Sequence, residues 1–342
     1  MSGLEKFRDA VTFALANPSP WPLDLRQVIE GEMFDPPPWN VVLGRVAPRG
    51  GPAGLIARGG AVLASWGDTT RADMVFSVTK SYVSLLSGCA LDAGLITDFD
   101  APVSDRIDHP VFTSDRNAWV TWRMLLQQTS EWEGALWGVP DTVDRDRQLA
   151  PTDDPARFGR GTPLRVPGTY WDYNDVRVNV LCLALTLLWG RPLGTVLDEA
   201  LPVSAPGRVW RGYGAASTLP NGTEVAVGGG HWGGGLSASA AHDLALGEVV
   251  RGRGIAHGQL ILSEETLELL LAPCALQPVY GALWWLNTGR VLVPEAPETS
   301  VFAMGVGMNA IWADPMLDLV AVVHWIDEPA FNGFVRRVMA AL

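Results

Sequence analysis

The chain has 342 residues, 48% of them apolar, with 25 lysine and arginine residues against 37 aspartate and glutamate and a net charge of −12. That length suits one large domain or two lobes in close contact, and the acidic balance argues against nucleic acid or an anionic membrane as the main partner. The three cysteines, Cys89, Cys182 and Cys274, show no Cys-x-x-Cys spacing; they read as free thiols of a reducing, cytoplasmic compartment and not as metal ligands.

The start, Met1-Ser2-Gly3-Leu4-Glu5-Lys6, scatters its charges and has no signal-peptide core. Apolar residues at helical spacing over Leu4–Ala16 predict a helix, stopped by Asn17-Pro18-Ser19-Pro20. The proline run Pro36-Pro37-Pro38 leads to two strands, Leu55–Arg58 and Ala61–Trp66, joined by Gly59-Gly60 as a tight hairpin. A helix follows from Ser77 to about Leu91 and stops at Gly94. Residues 98–225 are mostly helical in pattern, with Asp141–Asp154 expected as a charged surface loop. Val176–Trp189 is apolar on every face and predicts a buried core helix, since its uncharged run is too short to span a bilayer. Two helices, Ser237–Val250 and Ser263–Leu271, precede three strand-like runs, Tyr280–Asn287, Val301–Trp312 and Leu317–Ile326. Phe331–Leu342 closes the chain as an amphipathic helix. Strands near both ends with helices between predict an α+β fold. One antiparallel sheet lobe would be formed by 1–97 and 226–342, with 98–225 inserted as a helical lobe and a cleft between them.

Lysine is nearly absent, at Lys6 and Lys80 only. Lys80 lies three residues after Ser77, at the start of a helix, and residues three apart share a helix face. Ser-x-x-Lys is a nucleophile and base arrangement. Unlike arginine, lysine can carry protons near neutral pH when its surroundings shift its pKa. The first helical amides lack internal partners, so the Ser77 N–H is free to bind an oxyanion. The helix end favours an alkoxide, and apolar neighbours with that positive field should push the lysine pKa down. Two further elements suit such a site: Tyr173-Asn174-Asp175 before the buried helix, and the glycine-marked strand Phe302-Ala303-Met304-Gly305-Val306-Gly307, which could supply a second N–H.

In this order, Ser77-x-x-Lys80, the tyrosine element and the late glycine strand resemble the serine β-lactamase and penicillin-binding protein superfamily. The branch is the class C-like one, with family VIII carboxylesterases and 6-aminohexanoate-dimer hydrolases. Longer stretches carry the likeness over residues 55–330: Tyr173-Asn174-Asp175-Val176-Arg177-Val178-Asn179, the glycine run Gly228–Ser237, Tyr280-Gly281-x-x-Trp284-Trp285, and Ile311-Trp312-x-Asp314-Pro315. The resemblance implies a β-lactamase-like fold, Ser77 as acylated nucleophile, Lys80 and Tyr173 as general base and acid, and an oxyanion hole of the Ser77 and Val306 N–H groups. Asn174, Asp175, Gly305, His231, Trp232 and Trp132 are expected near the substrate.

Two departures matter. Asp175 stands where the family usually has asparagine, and a carboxylate beside Lys80 would raise its pKa. Ala303-Met304-Gly305 lacks the basic residue that holds a penicillin carboxylate. Both favour a small ester or linear amide as substrate, without cofactor or metal. The alternatives are a β-lactamase or D-amino-acid peptidase, and a weakly catalytic penicillin-binding or scaffold protein. Sequence leaves oligomeric state open, a homo-oligomer included.

Overall fold

The computed structural model describes residues 3–31, 34–35, 37–145 and 163–342. Its main sheet has six antiparallel strands, in the spatial order Trp285–Leu286, Val301–Gly305, Asn309–Asp314, Leu319–His324, Ala53–Arg58, Ala61–Trp66. The strand after the proline run thus pairs with the last strand of the chain, from Ala53 opposite His324 to Arg58 opposite Leu319. Gly59 and Gly60 both take positive φ, 59° and 77°. A two-residue primed turn requires this, and it matches the strand twist.

Alternation along the strands builds two cores. Phe302, Trp312, Leu319, Ala321 and Val323 face a layer that includes Phe334 and Val338 of the closing helix Phe331–Ala340. Ala303, Ile311, Val320 and Val322 face the other way, into the main core with helices Val78–Asp92 and Ala240–Arg251. The central strands are therefore buried on both faces, and each cross-strand neighbour shares its layer. Gly247 brings the second of those helices against the sheet. A Cβ there would lie 2.4 Å from Val320 Cγ1.

A smaller sheet joins Asp73–Met74, Gly235–Ala238 and Val209–Arg211, so one strand from the middle of the chain pairs beside two from outside it. Between residues 98 and 205 the described chain is mostly helices and 3-10 turns. The apolar helix runs Asp175–Trp189, capped at its start by Asn174 and at its end by Gly190 in the left-handed region.

Three expectations need correction. Val301–Trp312 is not one strand but a hairpin, Val301–Gly305 and Asn309–Asp314. Gly307 (φ 70°) and Met308 (φ 50°) turn the chain back. Within Tyr280–Asn287 only Trp285–Leu286 joins the main sheet, and Tyr280 makes a single bridge back to Trp285. The surface loop expected at Asp141–Asp154 begins in the interior, where Asp141, Asp144 and Arg145 are buried. The rest of that loop lies outside the described residues. Among the described residues no single helix is long and apolar enough to cross a membrane.

Candidate active site

Ser77 sits at the N-terminal end of Val78–Asp92, immediately after the small-sheet strand Asp73–Met74. Phe76 takes φ of 50°, a conformation that costs a bulky residue on the order of 1–3 kcal/mol. The Phe76 ring is locked into a small core with Leu25, Val28, Met74 and Trp325, which holds the strained turn. On the other side Gly305 closes in. A Cβ there would lie 2.2 Å from the Val75 carbonyl oxygen and 3.0 Å from the Ser77 nitrogen, so only glycine lets the strand end pass this near the Ser77 turn. Asn309 Nδ2 donates to the Val306 carbonyl at 2.7 Å, and the buried Arg49 donates to Asn309 Oδ1 at 3.0 Å. The turn that carries the Val306 N–H is thereby braced from behind.

The helical spacing brings Lys80 Nζ to donate to Ser77 Oγ at 2.9 Å. Tyr173 faces both Ser77 and Lys80, and the ammonium lies 4.8 Å from the centre of its ring. The ring is held by Trp285, stacked at 5.8 Å, and by Tyr280 and Trp171 on its edges. Lys80 also forms an ion pair with Asp175 Oδ1, both groups being almost wholly buried. Burial alone would lower the lysine pKa, but Asp175 and then Tyr173 outweigh it and hold Lys80 well above its ordinary value. The expected downward shift is therefore reversed, because the carboxylate outweighs the apolar surroundings. Tyr173 is also held above its ordinary range, chiefly by burial, against the opposing pull of Lys80.

Behind Asp175 lies His231. Its Nδ1 is 3.0 Å from Asp175 Oδ2 and 3.5 Å from Asp144 Oδ1, and its Nε2 is 2.5 Å from Asp35 Oδ2. The imidazole stacks on Trp232 at 3.9 Å and touches Phe34. The glycine run makes this approach possible: a Cβ on Gly229 would lie 3.1 Å from Lys80 Nζ. Asn179, one turn into the apolar helix, accepts the Gly228 N–H at 2.8 Å and anchors the run. Asp35, Asp144 and His231 place metal-type donor atoms within 4.8 Å of one another, but both ring nitrogens already face carboxylates.

The same helix start carries a second ionic group. The buried Arg177 donates to Glu131, Asp172 and Asp141 at 2.9, 3.0 and 3.2 Å, and to the Trp132 carbonyl. Arg145 adds a bond to Glu131 at 2.9 Å. Asn174 caps the helix through Arg177 N and donates to the Asp141 carbonyl. Gln128 Oε1 accepts the Asn174 N–H. These bonds tie the loop 128–145 to the segment that presents Tyr173.

A cavity of about 560 Å³ opens over Ser77. Ser77, Tyr173, Gly305 and Val306 line it, with a largely apolar wall that includes Trp285, Met304 and Phe331. Of the residues expected at the substrate, Gly305 therefore reaches the cleft. Asp175 and His231 stand behind Lys80 instead. Asn174, Trp232 and Trp132 are buried, and Trp132 spends its indole N–H on the Val111 carbonyl. Asp35, Asp144 and Arg177 were not singled out in the sequence. Only the Arg177 position, charged inside an apolar helix, left a mark that could have been read.

A strained serine turn, a lysine one helical turn on, a tyrosine against both, and a six-stranded antiparallel sheet with helices on each side together define a β-lactamase-like fold. The profile of the Beta-lactamase family matches residues 48–335, and the chain belongs to that family. No curated protein matches the chain. Among solved structures, a family VIII carboxylesterase aligns with TM-score 0.62 and 16% identity over 100% of this chain and 98% of its own. A penicillin-binding protein homologue from Caulobacter crescentus aligns with TM-score 0.61 and 16% identity over 94% and 97%. A β-lactamase from Mycobacterium bovis aligns with TM-score 0.56 and 20% identity over 84% and 94%. At such identities the likeness is one of fold, and the fold hosts several activities.

Proposed function

We propose that the protein is a serine hydrolase that cleaves small esters or linear amides through an acyl-enzyme on Ser77. The observation that carries this reading is the Lys80 Nζ to Ser77 Oγ contact of 2.9 Å at the floor of the cavity, with the Tyr173 ring 4.8 Å from the same ammonium and lining the cavity beside Ser77. In the reacting state the Tyr173 phenolate, steadied by the Lys80 ammonium, takes the Ser77 proton. Ser77 Oγ attacks the carbonyl carbon, and the N–H groups of Ser77 and Val306 hold the oxyanion. The tetrahedral intermediate collapses, and Tyr173 returns the proton to the leaving alcohol or amine. Water, activated by the same base, then releases the acid.

The cavity wall supports an apolar acyl group. Among its described lining residues the only charged side chain is that of Glu328, at the rim. Met304 of the strand Val301–Gly305 lines the cavity, and among the described lining residues no ammonium or guanidinium would meet the carboxylate of a penicillin. The substrate class therefore favours neutral esters and amides over β-lactams. A second reading, a protein that acylates slowly and turns over little, draws on one observation: Lys80 and Tyr173 both hold their protons tightly at rest.

Hydrolysis of p-nitrophenyl butyrate, nitrocefin and a linear 6-aminohexanoate dimer by wild type and Ser77→Ala separates the readings. The expected result is turnover of the ester or the amide, abolished in Ser77→Ala, with nitrocefin much slower. Nitrocefin turnover equal to the ester's would move the assignment to a β-lactamase. A stable Ser77 adduct without turnover would move it to a binding protein.

A further inference from the structure

His231 has a carboxylate oxygen at each ring nitrogen, at 3.0 Å and 2.5 Å. With both carboxyls ionised, as carboxylates that can only accept, each nitrogen carries a hydrogen, and the ring that does this is the imidazolium. It is gripped between Trp232 and Phe34 and is 4% exposed. The charged groups facing it among the described residues are Asp35 from the loop before Pro37, Asp144 after the 3-10 turn Asp141–Val143, and Asp175 at the start of its helix. Tyr213 faces Asp144 and Asp175 and hydrogen-bonds to Asn179. Asp175 has one oxygen on His231 and the other on Lys80. A continuous line of contacts thus runs through the buried Asp35, His231, Asp175 and Lys80 to Ser77 at the cavity.

We propose that His231 is a positioning residue: as an imidazolium strung between Asp35 and Asp175, it fixes the Asp175 carboxylate against Lys80, keeps that amine an ammonium, and leaves Tyr173 as the acceptor of the Ser77 proton. The last step rests on the hydrolase reading, and the first two do not. The direction found for Lys80 agrees, since the carboxylate is what overcomes its burial. The consequence for pH has a definite sign. If Lys80 cannot accept, the active base is the Tyr173 phenolate. Tyr173 ionises above its ordinary value, so kcat/KM should still be climbing on the alkaline side. Asp175→Asn removes the largest interaction that opposes the burial of Lys80 and so lowers its pKa. Neutral Lys80 then becomes available at lower pH, and the rising limb moves toward neutrality.

Two experiments test this. In the first, ring ¹⁵N spectra of histidine-labelled protein near neutral pH, with His231→Gln for assignment, should show both His231 nitrogens protonated. Metal analysis of the same sample should show no stoichiometric cation. A bare ring nitrogen, or one bound divalent ion at Asp35, Asp144 and His231, overturns the proposal. In the second, kcat/KM for a neutral ester is followed against pH. Asp175→Asn should shift the rising limb down by about one unit or more. His231→Gln should shift it the same way by less, with KM within about twofold, and should add nothing in the Asp175→Asn background. Asp35→Asn, which removes charge and keeps shape, should mimic His231→Gln and serves if that variant does not fold. A uniform loss at every pH, additive with Asp175→Asn, means a merely structural histidine and overturns the proposal. Absence of ester turnover and of fluorophosphonate uptake in wild type would defeat the hydrolase reading alone, and the ¹⁵N spectra would still decide the state of His231.

Discussion

Asp175 and Arg177 lie two residues apart on the first turn of one buried helix, yet they anchor two ionic groups of different kind. Arg177 is a planar cation that does not lose its proton, and it spends its donors on Glu131, Asp141, Asp172 and a backbone carbonyl. Asp175 joins Lys80 to His231, two groups whose protons can move. The lesson is a division of labour. Fixed charge ties the loop 128–145 to the segment that presents Tyr173, and groups that can exchange protons make up the line ending at Ser77. Buried ion pairs are a weak source of net stability, but removing one partner from such a group is costly.

That contrast predicts its own largest effect. Arg177→Met strips the cation from three buried carboxylates, and the expected loss is about 3–5 kcal/mol, read from the midpoint of urea unfolding. If the variant unfolds at the wild-type midpoint, the Arg177 group is not the frame it is taken to be. Tyr173→Phe makes the opposite demand. Its ring contacts with Trp285 and Tyr280 survive, so the midpoint should stay within about 1 kcal/mol, while loss of the hydroxyl lowers kcat by about 10²–10⁴. A Tyr173→Phe variant that loses stability but not rate would reverse the roles of the two groups.

How much of this was legible in the sequence follows from the range of each interaction. Ser77 and Lys80 could be paired from helical spacing alone, because the contact is local. The hairpin at Gly59-Gly60 was legible for the same reason. Tyr173 was legible only through family resemblance, since nothing local says that it folds back onto Ser77. Asp35 lies 196 residues from His231, and no periodicity announces such a contact. The strand Val301–Trp312 was read through its own turn because Gly305 and Gly307 keep the alternation of a strand; the positive φ at Gly307 and Met308 breaks it. The direction of the Lys80 shift depended on a balance between burial and Asp175. Both contributions were visible in the sequence, but their relative size was set by the buried ion pair that only the fold creates.

The smallest expected effect concerns salt, and it tests what both groups share. Exposed pairs such as Arg26 with Glu30 or Arg253 with Glu264 stand in water, where 1 M salt cuts the screening length to about 3 Å. Lys80, Asp175, Glu131 and Arg177 are almost wholly buried, and mobile ions cannot come between them. Raising ionic strength from 0.05 M to 1 M with a neutral ester should therefore change kcat/KM by less than about twofold and leave the alkaline limb of the pH profile in place. Sodium chloride suits the experiment better than sulfate, which strengthens burial by a separate route. A limb that moves by half a unit or more would mean that ions reach the Lys80–Asp175 pair. The line from Asp35 to Ser77 would then be open to solvent in the working enzyme, and the distinction between its movable protons and the fixed charge of Arg177 would no longer rest on burial.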